Sequence, residues 1–148
     1  MIETVPMLRF NHNCQEALNV YQQAFDAQLL VKMTYADANV EDVGKIDEAQ
    51  KELIYHAQLK IGNTRFILFD APGENSKMGD MPKTAIIKGN QTDLVMIFKT
   101  DEEVRRAYDF LSKKAITLGE IKSTTYSSST VSLTDKFGIN WDLMTYFE

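Results

Sequence analysis

Two side chains in this sequence have the chemistry to act on a small carbonyl compound. His56 is one of two histidines among 148 residues, and imidazole gains and loses a proton near neutral pH without help from its surroundings. Arg9 carries a permanent charge, and its planar guanidinium suits recognition of a carboxylate or an enolate. The two residue types together indicate either binding of a small molecule or proton transfer on it.

Both residues also have a purely structural interpretation, and the sequence leaves the alternatives open. His56 could hydrogen-bond a neighbouring strand and order a sheet. Arg9 could form a buried ion pair with Asp142 that holds two strands together. His12 and Cys14 are close in sequence, but they lie at the predicted start of a helix rather than on a strand.

Alternation along the strands predicts which polar side chains share a face. Side chains of a strand point alternately to its two sides, and the apolar residues Leu8 and Phe10 are expected to pack against helices. The opposite face then combines apolar side chains with a few polar ones, which is the composition of a small-molecule pocket. Its polar members are Arg9, His56, Gln58, Asp93, Asn140 and Asp142.

The first half of the chain is predicted to contain one helix and four strands. Asn13 and Glu16 have the spacing of a capping box, which predicts a helix beginning there. Gly62 and Asn63 are typical of a tight turn, so the strands on either side form a hairpin. The acidic stretch 38–50 is expected to be a mobile loop. The predicted strands are Thr4–Phe10, Gln28–Tyr35, Glu52–Ile61 and Thr64–Phe69.

The second half repeats this order. A strand over Leu94–Phe98 precedes a capped helix that begins at Thr100, and three more strands are predicted over 117–124, 128–133 and 139–146. Phe98 follows Phe10 by 88 residues, and Gly138 follows Gly62 by 76. The repeated order of one strand, one helix and three strands indicates an internal duplication. The Gly- and Pro-containing stretch 71–91 is interpreted as the connector between the halves.

Composition excludes several classes of protein. The length suits one domain, and no apolar run approaches the ~20 residues that cross a membrane. The net charge is −5 and there is no Lys/Arg-rich run, so neither a nucleic acid nor a membrane is an expected partner. A single cysteine excludes an intramolecular disulfide. The first residues lack the pattern of a signal peptide, which favours a cytoplasmic location.

Three stretches carry a resemblance to a known family: the segment from Met7 to Tyr21, the segment from Tyr55 to Gly62, and the segment from Thr134 to Trp141. They resemble the PhnB-like branch of the glyoxalase/bleomycin-resistance/dioxygenase superfamily, also called vicinal oxygen chelate proteins. The resemblance implies an α+β fold with two duplicated βαβββ modules, cupped mixed sheets and helices outside. It further implies a homodimer and one glyoxalase-like domain over 1–148, with modules at about 1–75 and 92–148 joined by a connector at about 76–91.

The same resemblance locates the positions at which metal-binding members hold their ion. They fall on Val5, Phe66, Asp93 and Asp142 in this sequence. Two of the four are apolar and offer no lone pair, whereas catalytic sites usually use about three protein ligands. We therefore expect no metal and no other cofactor. The alternative is a divalent ion held weakly by Asp93 and Asp142.

The function expected from these observations is binding of a small organic ligand in the cup, without the usual metal. His56 is the candidate catalytic residue. The alternative is a metal-assisted or His-based lyase, isomerase or dioxygenase that acts on a small carbonyl compound. In either case the predicted ligand-binding residues are Arg9, Gln58, Asp93, Asn140 and Asp142.

Overall fold

The computed structural model of the chain describes residues 1–72 and 86–146. These residues form two compact units. Unit 1 comprises Met1–Gln22 and Asp26–Ile86, and unit 2 comprises Gln23–Phe25 and Ile87–Glu148. The predicted connector at about 76–91 therefore lies mostly outside the described residues.

Unit 1 is built on a four-stranded mixed sheet. Its strands are β1 (Met7–Phe10), β2 (Gln28–Thr34), β3 (Ile54–Ile61) and β4 (Thr64–Asp70), in the order β1-β4-β3-β2. β1 runs parallel to β4, whereas the β4–β3 and β3–β2 pairs are antiparallel. Helix α1 (Cys14–Phe25) connects β1 to β2.

Unit 2 repeats this arrangement. Its strands are β5 (Leu94–Phe98), β6 (Thr117–Leu118), β7 (Thr130–Thr134) and β8 (Asn140–Thr145), in the order β5-β8-β7-β6. β5 and β8 are parallel and the other pairs antiparallel. The shared order confirms the prediction of two duplicated βαβββ modules with mixed sheets in an α+β fold.

Two stretches differ from their prediction. The acidic stretch 38–50 was expected to be a mobile loop, but it contains the short helix α2 (Val40–Val43) and the 3-10 turn Glu48–Gln50, and a second 3-10 turn, Tyr35–Asp37, directly precedes it. Burial of Val43, and of Tyr35 in the preceding turn, anchors this stretch to unit 1.

The strand predicted over 117–124 ends at Leu118. Lys122 makes an isolated bridge to Thr130, and the N–H of Thr124 bonds to the carbonyl of Ser127. The chain therefore turns back on itself within the Ser/Thr-rich stretch and cannot continue as a strand.

Helix α3 (Asp101–Leu111) begins with the capping box that the sequence predicts. The Thr100 hydroxyl accepts a hydrogen bond from the N–H of Glu103, and the Glu103 carboxylate accepts one from the N–H of Thr100. Val104, Ala107 and Leu111 form the buried side of the helix. None of the helices in the described part of the chain is long and apolar enough to span a membrane.

Helix α1 begins differently from the prediction. The Asn13 side chain makes no capping bond, and its Oδ1 is buried without a hydrogen-bond partner among the described residues. The cap comes instead from β4: Asp70 Oδ1 accepts a hydrogen bond from the N–H of Cys14 at 3.0 Å. The prediction that Asn13 caps α1 was therefore wrong, because a carboxylate distant in sequence supplies the acceptor.

Asp70 connects three parts of unit 1. Its second oxygen, Oδ2, accepts a hydrogen bond from the N–H of Ile54 at 2.8 Å, and its carbonyl accepts one from the Tyr35 hydroxyl at 2.8 Å. The side chain is 1% exposed. Burial raises the pKa of this carboxyl, and the hydrogen bonds from Ile54 and Cys14 act in the opposite direction.

Replacement of Asp70 by Asn is expected to destabilise the protein by about 1–3 kcal/mol. The amide can accept one of the two N–H groups, but its NH2 then faces the other, which is left without an acceptor. Urea unfolding measures the loss. Asp109→Asn, which changes an exposed carboxylate on α3, is the matched control. Equal stability of the two variants would show that Asp70 is not a structural anchor.

Candidate functional site

Each sheet has one face whose side chains are mostly buried, and on the opposite faces Phe69 and Met144 are buried as well. In β4 the side chains of Phe66, Leu68 and Asp70 are buried, and Phe10 of β1, which pairs with Asp70, contacts the ring of Tyr21 in α1. The side chains between them on β4 must point to the other side of the sheet. This second face of the unit 1 sheet is the one on which the sequence predicts ligand contacts.

Three rows of side chains cross this second face. Arg9 pairs with Phe69, and the antiparallel register of β3 and β4 continues that row to His56. The next row contains Met7, Ile67 and Gln58, and the last contains Arg65 and Lys60. We call this surface the basic face, defined by Arg9, His56, Gln58, Lys60 and Arg65.

Arg9 lies at one end of the basic face. Its guanidinium carbon is 5.6 Å from the centre of the Phe69 ring, within the range of a cation–π contact. Its Nε is buried and has no hydrogen-bond partner among the described residues. The ion pairs found in the described part of the chain are Lys51–Glu48 and Arg65–Glu3, and Arg9 belongs to neither. A buried donor without an acceptor is costly.

His56 and Gln58 are joined side chain to side chain. Nε2 of His56 lies 2.9 Å from Nε2 of Gln58, and Oε1 of Gln58 accepts a hydrogen bond from Arg65 at 3.4 Å. With Oε1 facing the guanidinium, the amide nitrogen is the donor and the imidazole nitrogen the acceptor. In this arrangement Nε2 of His56 accepts the hydrogen bond, and its lone pair is occupied.

Arg65 was not among the predicted site residues, although a signal for it exists. It lies directly opposite Lys60 across the hairpin, and Lys60 alternates with Gln58 and His56. If the alternation of side chains is continued through the predicted turn at Gly62, it places Arg65 on the same face of the sheet as these residues. It forms an ion pair with Glu3.

In unit 2 the structure brings Asp93 and Asp142 together. Desolvation raises the pKa of Asp93, and both the charge of Asp142 and a hydrogen bond between the two carboxyl groups raise it further. Asp142 also accepts a hydrogen bond from the Ser132 hydroxyl. The two carboxylates lie on the face opposite the buried Trp141 and Leu143, as alternation predicts.

Asn140 is on the same side of β8 as Asp142, but its polar atoms are used within the fold. Its Nδ2 donates to the carbonyls of Gly89 and Thr92 at 2.7 and 3.0 Å, and its Oδ1 accepts from the Thr134 hydroxyl at 2.6 Å. These bonds fix the segment that leads into β5. Its predicted role in ligand binding stays a prediction.

Arg9 and His56 belong to unit 1 and Asp142 to unit 2, and their convergence on one ligand stays a prediction. Within unit 1 the structure brings together Arg9, His56 and Gln58. Within unit 2 it brings together Asp93 and Asp142.

The assignment of Phe66 as the counterpart of Asp142 was wrong by one residue. Asp142 pairs with Val95, and Met7, the equivalent of Val95 in β1, pairs with Ile67. The assignment had aligned Gly62 with Gly138. Gly62 lies in a short turn at 62–63, whereas Gly138 lies in a longer turn at 135–139, so this alignment shifts the strands by one residue. A shift of one residue reverses the direction of a side chain, and Phe66 is indeed on the buried face.

The corrected set of family metal positions is Val5, Ile67, Asp93 and Asp142. Two members still offer no lone pair, so these residues do not fit the usual metal site. In the part of the chain that the structure describes, no group of three or more His, Cys, Asp or Glu side chains could hold an ion.

Cys14 does not act as a nucleophile in this arrangement. Its side chain is fully buried at the start of α1, and burial, followed by the neighbouring charge of Asp70, raises the pKa of the thiol far above its usual range. The thiolate that nucleophilic chemistry requires is therefore disfavoured.

A groove of about 610 Å³ lies elsewhere in unit 2, along α3. Three acidic and three basic side chains line it together with Phe110, Ile121 and Ser129. Because acidic and basic side chains are equal in number, the groove favours neither an anionic nor a cationic ligand. None of the residues predicted to bind ligand lines it.

The similarity to known proteins extends over nearly the whole chain. Residues 5–143 match a model of the Glyoxalase/Bleomycin resistance protein/Dioxygenase superfamily. The chain is 26% identical over 142 residues to Protein YjdN of Escherichia coli K12, covering 92% of this chain and 90% of that protein.

Solved structures share the fold at low sequence identity. The structure of PA1353 from Pseudomonas aeruginosa superposes with a TM-score of 0.78 at 21% identity, over 100% of both chains. A PhnB protein from Bacillus cereus superposes with a TM-score of 0.71 at 19% identity, over 97% of this chain and 98% of that one.

We predict that the protein does not hold a transition metal tightly. Two carboxylates would bind a hard cation mostly through water, and hence weakly. Elemental analysis of protein purified without a chelator measures the metal content. About one Zn, Mn, Fe or Ni ion per chain after gel filtration would contradict the prediction. Protein treated with EDTA before gel filtration is the control.

Proposed function

The chain belongs to the glyoxalase/bleomycin resistance protein/dioxygenase superfamily, and from this premise we propose that it binds a small organic ligand on the basic face of unit 1, without a metal. The superfamily hosts several activities on one fold, so the function must be argued from the site. The predicted homodimer and the cytoplasmic location stay predictions.

The buried Nε of Arg9 carries the proposal. A donor that is shielded from water and lacks an acceptor costs about 1–3 kcal/mol, and a ligand with an acceptor oxygen would remove that cost. The neighbouring Met7, which is exposed, and Ile67, which is partly exposed, offer apolar surface for the body of the ligand. A few convergent polar groups in apolar surroundings are the usual composition of a binding site.

The state of His56 favours binding over catalysis. A general base needs a free lone pair within reach of the proton that it removes. Gln58 donates to Nε2 of His56, so this nitrogen accepts a hydrogen bond already. Gln58 and His56 are therefore proposed to orient the ligand by hydrogen bonding.

Arg9→Met is expected to keep the fold and to weaken ligand binding by about tenfold or more, since a hydrogen bond to a charged group contributes about 1.5–3 kcal/mol. Saturation-transfer NMR against a panel of neutral, cationic and anionic compounds of about 8–20 heavy atoms identifies binders, and titration gives Kd. Thermal melting checks the fold.

Arg106→Met, on the exposed side of α3, is the matched control for this experiment. It removes the same charge without touching the basic face and should leave Kd unchanged. If the panel contains no binder, or if Arg9→Met and Arg106→Met bind equally well, the basic face is not the ligand site. A large loss of stability in Arg9→Met alone would instead assign Arg9 a structural role.

A second candidate is a His-based lyase or isomerase, and one observation favours it. Arg9 and His56 lie on either side of Phe69 in the same row, so an oxyanion donor and a base could flank one substrate. For this to work, the Gln58 amide must release Nε2 of His56 when the substrate binds.

The second candidate predicts that the protein accelerates exchange of the methyl protons of pyruvate in D2O, because enolisation removes a proton next to a carbonyl. His56→Gln should abolish at least about nine-tenths of the acceleration, and NMR measures the exchange. His12→Gln is the control. Exchange that is no faster than in buffer, or that survives His56→Gln, would exclude His56 as a base for this substrate.

A further inference from the structure

A carboxylate from a distant part of the chain pairs with one cation of the basic face. Arg65 forms an ion pair with Glu3, which is 62 residues away in sequence and precedes β1. The two side chains are 41% and 47% exposed. Exposed ion pairs are weak and exchange readily with other partners.

Positive charge outweighs negative charge among the side chains of this face. Arg9, Lys60 and Arg65 are cationic, and Glu3 supplies a carboxylate to one of them. Arg65 can offer a carboxylate two parallel N–H groups, a geometry that a lysine does not have. Glu3 therefore occupies the position that an acidic group of a ligand would take.

We infer that the ligand of the basic face carries a carboxylate or phosphonate group, that Arg65 binds this group, and that Glu3 competes with the ligand for Arg65. The inference rests on the proposed function and adds to it the charge class of the ligand and a residue that limits its affinity.

The distances along the sheet suggest the shape of such a ligand. Arg65 and Phe69 are four positions apart on β4, which is about 13 Å at the rise of a strand. Met7 and Ile67 form the apolar row between them. A ligand with an acidic head at Arg65, a short apolar segment over Met7 and Ile67, and an acceptor oxygen at Arg9 fits this order.

The contacts also provide a reporter. Arg65 bonds to Gln58, and Gln58 bonds to His56, so a change of partner at Arg65 should move the side-chain resonances of Gln58 and His56. Hexanoate is a suitable probe because it has an acidic head and a short apolar chain. Hexanamide is its neutral match, and pentylphosphonate tests the alternative acidic group.

Titrations followed by NMR should show that hexanoate binds the wild type about tenfold or more tightly than hexanamide, since one partner is charged. Glu3→Gln should tighten hexanoate binding by about two- to fivefold, the scale of an exposed ion pair. Glu41→Gln, which removes an exposed charge from α2 in the same unit, should change nothing. Arg65→Met should erase the preference for hexanoate.

The outcomes separate the two proposals. Equal binding of hexanoate and hexanamide overturns the acidic-ligand inference, while ligand binding on the basic face stands. Identical effects of Glu3→Gln and Glu41→Gln overturn the competition by Glu3. If neither acid binds, the inference fails whatever the panel and Arg9→Met show. Comparison of hexanoate with pentylphosphonate decides which acidic group the face prefers, and dispersed amide spectra confirm that Arg65→Met is folded.

Discussion

The buried carboxylate of Asp70 determines much of which side chains lie on the basic face of unit 1. It holds the start of α1 and the start of β3 at the end of β4, and it fixes which side of β4 faces the helix. Once Asp70, Leu68 and Phe66 are buried, alternation leaves Arg65, Ile67 and Phe69 no other direction than the opposite face. The basic face is thus a geometric consequence of a helix cap.

The two units have the same strand order, but they cap the helix that follows their first strand with different side chains. Helix α3 is capped by its own Thr100 and Glu103, so unit 2 does not need a carboxylate at the end of β8. Thr145 stands at the position equivalent to Asp70, and its hydroxyl hydrogen-bonds to the serines at 127–129 instead. Duplication therefore preserved the strand order, while the chemistry of the exposed faces diverged: basic in unit 1, acidic at Asp93 and Asp142 in unit 2.

Periodicity and turn residues were enough to predict the strand order, helices α1 and α3, the duplication and the faces of His56, Gln58 and Asp142, because these depend on local spacing. They did not predict helix α2 or the early end of β6. Interactions between residues distant in sequence were not predictable in this way. Register and turn length decide three features: the capping of α1 by Asp70, the ion pair between Arg65 and Glu3, and the equivalence of Ile67 in unit 1 with Asp142 in unit 2. The segment from Thr134 to Trp141 carried part of the family resemblance. Its Asp135 has a structural role here, because it accepts hydrogen bonds from two backbone N–H groups and from the Trp141 indole.

The position of Cys14 has a consequence for the dynamics of unit 1. The thiol is fully buried beneath the contact between Asp70 and α1, and the chain has no other cysteine. A thiol reagent can reach it only when the start of α1 separates from the sheet. The rate of its modification therefore reports the free energy of that local opening, at the helix that packs behind the basic face.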